Sequence, residues 1–327
     1  MRNNWVPKVS ILIPVYNASP FLSATIESAL QQTWKNTELI IVDDGSTDDS
    51  LGIAQKYASQ KVLVIPQRNQ GACTARNRAF RASTGDFIQY LDADDLLHPN
   101  KIKAQLAVLK DQKKNALLSA KWGRFDEEIT DTTFVPNGLW QNLDSIYWLI
   151  NAWTNDWMMQ TACWLTPRHL IEKAGEWNES LQPNPADDGE FFARVLLHSE
   201  TVFFVENSLV YYRNQSNSLS QQVHPRGVNS LFQNCLLYKK YLLEKRKDEV
   251  AKYAIACNFA HFMYRFYSAF PVLIQQAKAE IYDLGYTKIP VVGGENFQIL
   301  SKIIGFERAL KLRTILKISA FDNFCKN

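Results

Sequence analysis

Between residues 8 and 110, short apolar runs alternate with helical patterns, and few folds accept that alternation. Val9-Ser-Ile-Leu-Ile-Pro-Val-Tyr16 is continuous, rich in β-branched residues and too short for a typical helix. Glu38-Leu-Ile-Ile-Val-Asp43, Lys61-Val-Leu-Val-Ile-Pro66 and Asp86-Phe-Ile-Gln-Tyr-Leu91 repeat the pattern. Helical segments separate them. Phe21, Leu22, Ile26, Ala29 and Leu30 share one face, Ser46-Thr-Asp-Asp has the form of an N-cap with acids in the first turn, and a third helix is expected over 72–82. Strands apolar on both faces and joined by helices predict an α/β fold of Rossmann-like type, a mostly parallel sheet with helices on both faces.

Beyond Pro99 the pattern is mixed. A helix is expected over 99–111, strands near 116–122 and 129–135, a helix near 142–151 and a strand near 159–165. Residues 187–198 read as a helix with Phe191, Val195 and Leu196 as its apolar stripe, and 201–205 and 209–213 as two short strands. From Arg226 onward only helical patterns remain, broken at Pro271, Pro290 and Gly293-Gly294. The polar stretch Ser216-Asn-Ser-Leu-Ser-Gln-Gln222 therefore divides a first domain, residues 1–220, from a C-terminal helical region, residues 221–327.

Composition removes several classes of function. A formal charge of +3 over 327 residues is too small to argue for nucleic acid. No apolar run approaches the ~18 residues of a membrane helix. Met1-Arg-Asn-Asn-Trp-Val-Pro-Lys8 lacks the apolar core of a signal peptide, so a cytoplasmic location is expected. The five cysteines (73, 163, 235, 257 and 325) are scattered and odd in number, which suits a reducing compartment and excludes a metal knuckle or a disulfide scaffold.

In open α/β sheets, ligands bind beyond the carboxyl ends of the strands. Three of the early strands end there in polar turns: Tyr16-Asn17, Asp43-Asp44-Gly45-Ser46 and Asp92-Ala93-Asp94-Asp95. Asp92 and Asp94, spaced i and i+2 at a strand end, can both face one hard cation. Asp95 adds a third acid, either to that site or as a helix cap before Pro99. One of Asp43 and Asp44 can accept hydrogen bonds from a base or ribose, with Gly45 permitting close approach. Tyr16 and Asn17 offer a ring and an amide to a nucleobase, although Tyr16 reads equally well as core. Asn69-Gln-Gly71 and Ala75-Arg76-Asn77 follow, and Arg76 either contacts a phosphate or pairs with Asp92 or Asp94.

Taken together, Val9–Asn17, Ile41-Val-Asp-Asp-Gly-Ser46, Asn69-Gln-Gly71, Ala75-Arg-Asn77, Gly85-Asp86 and Tyr90-Leu-Asp-Ala-Asp-Asp95 resemble the family 2 glycosyltransferases, in order and spacing. The resemblance implies a GT-A fold, a nucleotide-diphosphate-sugar donor (a UDP-sugar first), Mg²⁺ or Mn²⁺, inversion at the anomeric carbon, and a place in bacterial cell-surface glycan synthesis. By matching positions, Asp44 would contact the nucleobase, with Pro14, Tyr16, Asn17 and Asp43 lining its pocket. Asp92 and Asp94 would form the metal-binding DxD element, with Ala93 and Arg76 against the donor. Pro185-Ala-Asp-Asp-Gly-Glu-Phe-Phe-Ala-Arg194 looks like the family's acidic helix, which makes Asp188 the catalytic base; Asp187 stands where the family usually has Glu. Leu209-Val-Tyr-Tyr-Arg213 with Ser218 and Ser220 looks like its closing strand and serine-rich loop. Here Gln215 replaces a His that many members carry near the metal, and an amide is the poorer ligand.

Two other readings compete. One is a GT-A-like module that binds a nucleotide sugar or a protein without turnover, supported by Gln215 and opposed by the intact acids. The other, a nucleotidyltransferase, lacks its Gly-rich phosphate loop, because Tyr16-Asn17-Ala18-Ser19-Pro20 stands after the first strand. The resemblance implies a glycan or lipid-linked acceptor. Residues 306–318 mix Leu310, Leu312, Ile315, Leu316 and Ile318 with Arg308, Lys311, Arg313 and Lys317, a pattern suited either to an interfacial helix on anionic lipid or to a helix packed on the protein.

Overall fold

The computed structural model describes residues 6–109, 115–215 and 224–316. Cys325, Ser218, Ser220, Lys317 and Ile318 lie outside them. The chain divides into two compact units, Met1–Ile146 with Met159–Gln222, and Tyr147–Met158 with Val223–Asn327. A single cut at 220 would leave Tyr147–Met158 in the first part, whereas packing groups it with the C-terminal helices.

The first unit opens with β1 (Val9–Val15), α1 (Leu22–Leu30), β2 (Thr37–Asp43), α2 (Ser50–Lys56), β3 (Val62–Pro66), α3 (Ala72–Ala82) and β4 (Phe87–Tyr90). β5 (Leu96–Leu97), α4 (Lys101–Ala107), β6 (Ala116–Phe125), β7 (Leu143–Asp144) and α5 (Ser145–Asn155) follow; α5 runs on into the second unit. β8 (Thr166–Pro167), α6 (Arg168–Ala174), α7 (Asp187–Leu196) and β9 (Thr201–Arg213) complete it. One sheet has the order β3-β2-β1-β4-β8, with β1 parallel to β2 and β4, β2 parallel to β3, and β8 antiparallel at the edge. A second sheet runs β5-β9-β6, with β7 also pairing β9.

β1 is buried along almost its whole length, with Val9, Leu12 and Ile13 fully inaccessible. Each such side chain contributes about 1.5–3 kcal/mol of burial, and a run buried on both faces has no polar alternation. Strand order reverses between β1 and β4, so the crevice of an open α/β sheet falls between Val15–Asn17 and Leu91–Asp95.

Several local expectations change. α2 begins at Ser50 after Asp49, without a side-chain cap, so Ser46 serves the turn instead. Residues 129–135 are not a strand: a 3-10 turn spans Ile129–Asp131, and Thr133 bridges Arg124. The segment expected as a strand near 159–165 is a 3-10 turn, Thr161–Cys163, leading to β8. Residues 201–205 and 209–213 form one strand, β9, whose register against β6 shifts between Ala120 and Lys121. Residues 206–208 are the extra residues of that bulge, which explains the break in apolar patterning.

The second unit contains α8 (Pro225–Lys245), α9 (Glu249–Phe266), α10 (Pro271–Asp283), α11 (Glu295–Ile304) and α12 (Phe306–Ile315). Phe232, Phe259 and Phe262 form its centre, and Trp153 stacks on Tyr238 at 4.7 Å between ring centroids.

Candidate active site

The acids after β2 do different things. Asp44 is buried, and its Oδ1 accepts from Gln67 Nε2 (2.6 Å) and Gln70 N (2.9 Å) while Oδ2 accepts from Gly71 N (2.8 Å). It thus ties the 67–71 loop to the end of β2 and keeps one acceptor position on Oδ2. Asp43 is equally buried; its Oδ2 accepts from Ser46 N at 3.2 Å and its Oδ1 has no partner. Gly45 makes the turn at φ 73°, where a Cβ would stand 2.7 Å from Asn69 N. Tyr16 is 52% exposed beside this turn, which removes the core reading of its ring. Asn17 adopts φ 50°, and its Oδ1 accepts from Thr47 N at 2.7 Å. Pro14 is partly exposed one residue before the end of β1.

Arg76 pairs with carboxylates. Its Nη2 donates to Asp92 Oδ1 at 2.9 Å, and its Nη1 donates to Asp187 Oδ2 at 2.6 Å. The guanidinium is nearly inaccessible and lies 4.4 Å over the ring of Trp177. Trp177 in turn stacks on Phe191 at 4.2 Å and meets Tyr90 edge to face at 5.1 Å. Burial opposes the charge of Arg76, but Asp187 and Asp92 outweigh it and raise its pKa.

Asp94 accepts from Gln215 Nε2 at 2.5 Å through Oδ2. Burial, reinforced by Asp92, pushes its carboxyl up to about 6. Ala93 turns its carbonyl to the Thr25 hydroxyl at 3.0 Å. Asp95 caps no helix: α4 starts at Lys101 after Asn100. Asp95 is fully buried, accepts from Arg213 N (3.0 Å) and from Gln160, and burial with the neighbouring carboxylates pushes it well above the usual range. The Arg213 guanidinium sits between Phe21 and Phe125, 4.9 and 4.4 Å from their centroids, and Nε donates to the Asp94 carbonyl at 3.0 Å. This cluster holds more carboxylates than its cations offset, all of them hard oxygen donors. Among the described residues no group of three His, Cys, Asp or Glu closes a cage. Asp92 and Asp94 offer hard carboxylate oxygens of the kind Mg²⁺ and Mn²⁺ take.

Asp188 stands at the first turn of α7. Its Oδ1 accepts from Gly189 N at 2.8 Å and its Oδ2 faces the Thr161 hydroxyl at 3.4 Å. Burial, and then the charge of Asp187, pushes its carboxyl up to about 7, the range in which a carboxylate can exchange a proton near neutrality. The sequence reading missed Gln160, Thr161 and Trp177 as parts of this region. Nothing in the spacing of Trp177 marks it as the plate beneath Arg76.

Comparison with known proteins gives the family. Residues 10–172 match the sequence profile of Glycosyl transferase family 2. An uncharacterised glycosyltransferase of Rickettsia typhi is 31% identical over 255 residues, 76% of each chain. Glycosyltransferase GlyG of Streptococcus pneumoniae is 28% identical over 64% of this chain and 72% of its own. Among solved structures, S. aureus TarS residues 1–349 in complex with UDP-GlcNAc superposes with a TM-score of 0.67 at 16% identity, over 95% of this chain and 92% of that one. The mannosyltransferase PcManGT of Pyrobaculum calidifontis, in complex with GDP-Man and Mn²⁺, gives 0.54 at 14% identity, over 97% and 89%. At those identities the likeness speaks for the fold, which is GT-A. With the acids on one rim and a relative of that identity and coverage, the chain belongs to glycosyl transferase family 2 and is a glycosyltransferase.

Proposed function

We propose that the chain transfers a sugar, with inversion at the anomeric carbon, from a nucleotide-diphosphate donor to a hydroxyl of a glycan or glycolipid. The observation that carries this reading is the Arg76 bridge, which joins Asp92, from the DxD element, to Asp187, the neighbour of Asp188. TarS with UDP-GlcNAc and PcManGT with GDP-Man and Mn²⁺ support a nucleotide-sugar donor, and a UDP-sugar is the first choice. Asp44 and Asp43, with Pro14, Tyr16 and Asn17, receive the base and ribose, Tyr16 offering its exposed ring for stacking. Asp92 and Asp94 would hold Mg²⁺ or Mn²⁺, which when bound would supply positive charge to offset that growing on the leaving oxygen.

The chain's own residues do the rest. Arg76 holds Asp92 in place and keeps a positive charge beside the acids. Asp188 takes the proton of the attacking hydroxyl, and attack from the face opposite the leaving group gives inversion. Gln215 orients Asp94 through its amide and stands in for no metal ligand. The binding-module reading gains nothing from this, because Asp92, Asp94 and Asp188 retain their reactive groups. The test is a donor panel: nucleotide release from UDP-, GDP- and dTDP-sugars with Mg²⁺ or Mn²⁺. No release and no binding of any of these would overturn the proposal.

The same reading extends to location. No described helix is long and apolar enough to cross a membrane. The free, buried Cys73, Cys163, Cys235 and Cys257 suit the reducing cytoplasm. On α11 and α12, Ile299, Ile303, Leu312, Ile315 and Leu316 are exposed among exposed Lys302, Arg308 and Lys311. This face supports peripheral contact with anionic membrane, where lipid-linked acceptors reside.

A further inference from the structure

β6 and β9 run parallel beyond their bulge, with Trp122 opposite Val210 and Arg124 opposite Tyr212. Alternation along each strand puts Trp122, Arg124 and Tyr212 on one face and Phe125 and Arg213 on the other. The three meet as a wall. Trp122 and Tyr212 pack edge to face at 6.1 Å, and the Arg124 guanidinium lies 4.8 Å over Tyr212 and 5.7 Å from the Trp122 ring.

The wall holds unspent donors. Trp122 is 7% exposed, and its buried Nε1 has no acceptor. The Arg124 Nε is also buried and without a partner, while its Nη1 reaches only the amide oxygen of Asn214 at 3.2 Å. Among the described residues no carboxylate pairs with Arg124. Buried N–H groups are seldom left unpaired, and a guanidinium prefers anionic oxygen. The wall adjoins the proposed reaction centre through the chain itself: Arg213, the residue after Tyr212, donates its N–H to Asp95 Oδ1 and its Nε to the Asp94 carbonyl, each at 3.0 Å.

We infer that Trp122, Arg124 and Tyr212 form an acceptor subsite for a sugar that carries an anionic oxygen group, a phosphate ester or a carboxylate. The inference rests on the transferase reading above and adds the acceptor class to it. The Nε–H groups of Arg124 and Trp122 donate to the anion, and the aromatic rings of Trp122 and Tyr212 flank it.

The test compares glucose 6-phosphate, glucuronate and glucose by calorimetry or saturation-transfer NMR on the full chain, with Mg²⁺ and saturating UDP to fill the donor pocket. One anionic probe should bind at least about tenfold more tightly than glucose, and which one it is separates phosphate from carboxylate. Arg124→Gln should abolish that preference and Arg124→Lys should partly restore it. Trp122→Phe, which keeps a ring and loses the N–H, should weaken the anion about threefold. Equal binding of all three probes, or an undiminished preference in Arg124→Gln, overturns the subsite. Weaker UDP binding in Arg124→Gln also overturns it, because Arg124 would then belong to the donor. Failure of wild-type protein to bind UDP at all would count against the donor reading instead; the same three probes compared without UDP would then decide the subsite by the same outcomes.

Discussion

Arg76 Nη1 donates to Asp187 Oδ2 at 2.6 Å, joining residues 111 positions apart, while the other arm of the same guanidinium holds Asp92. One nearly buried cation thus ties the end of β4 to the start of α7. The fork geometry matters, since two carboxylates on different elements are held by one planar group that Trp177 supports from below.

Arg76→Lys keeps the charge and loses the fork. A point charge satisfies one carboxylate at a time, so the other faces its like-charged neighbours. We expect a loss of about 2 kcal/mol in stability, below the figure for a fully buried pair because Asp92 and Asp187 retain some water. Denaturant unfolding checks this; a variant as stable as wild type would show that the fork is dispensable.

Asp94→Ala should abolish metal-dependent nucleotide binding and transfer, because the diphosphate then loses its counter-charge. Excess EDTA should silence the wild-type enzyme in the same way. Turnover that survives either treatment removes Asp92 and Asp94 from the metal role.

Gln215→His should lower the Mn²⁺ concentration needed for half-maximal activity. The amide now donates to Asp94, whereas an imidazole at that place can ligate a cation directly. A metal titration of the two proteins, unchanged between them, would mean that position 215 does not face the cation.

Asp188→Asn keeps the shape and cannot accept a proton. Donor affinity should stay near wild type while kcat falls roughly 10²–10⁴-fold. In the wild type, kcat should rise with pH towards a plateau above about 7, as Asp188 ionises. Stability runs the other way. A carboxyl raised from its ordinary 3.8 to about 7 in the fold stabilises fully below 3.8, and that contribution is lost as pH climbs through 7. Asp188→Asn should therefore gain on the wild type by about 4 kcal/mol at pH 8 and gain little at pH 4. Melting curves at the two pH values test it; no gain at pH 8 would place Asp188 in a wetter setting.

The parallel core was legible because β1, β2 and β4 carry mostly apolar runs, interrupted in β1 and β4 only by Ser10 and Gln89, and burial on two faces leaves no polar alternation. The acids at their ends were legible as a group, since strand polarity alone brings carboxyl ends to one rim. Their individual tasks were not. Asp44 and Asp43 are neighbours with like side chains, yet one accepts from three groups of the 67–71 loop and its turn, and the other keeps an oxygen unpaired. Asp95 read as a cap or a ligand and instead anchors the end of β9 through Arg213. The partners of Asp44 lie 23 to 27 positions away and those of Asp95 65 and 118, and periodicity carries no trace of them. The strand expected at 129–135 failed for a related reason: only Thr133 bridges β6, so a β-rich composition found no ladder to join.

Contact with anionic membrane through α11 and α12 makes the last prediction. Phe297, Phe306 and Leu310 face inward, which leaves Ile303 and Ile315 as the most exposed aliphatics of the pair, at 76% and 68%. Lys302, Arg308 and Lys311 are exposed beside them. Each basic residue near an anionic surface contributes about 1 kcal/mol, and two or three shallow aliphatic side chains add a similar amount. That sum gives weak, reversible binding that salt should weaken within a Debye length of about 10 Å at 0.1 M. Full-length protein should float with phosphatidylserine-containing vesicles at low ionic strength and leave them at high. Ile303→Glu with Ile315→Glu should stay in the aqueous fraction without a change in nucleotide binding. If the wild type does not float at low salt, the exposed face of α11 and α12 is simply solvated, and the membrane contact is wrong.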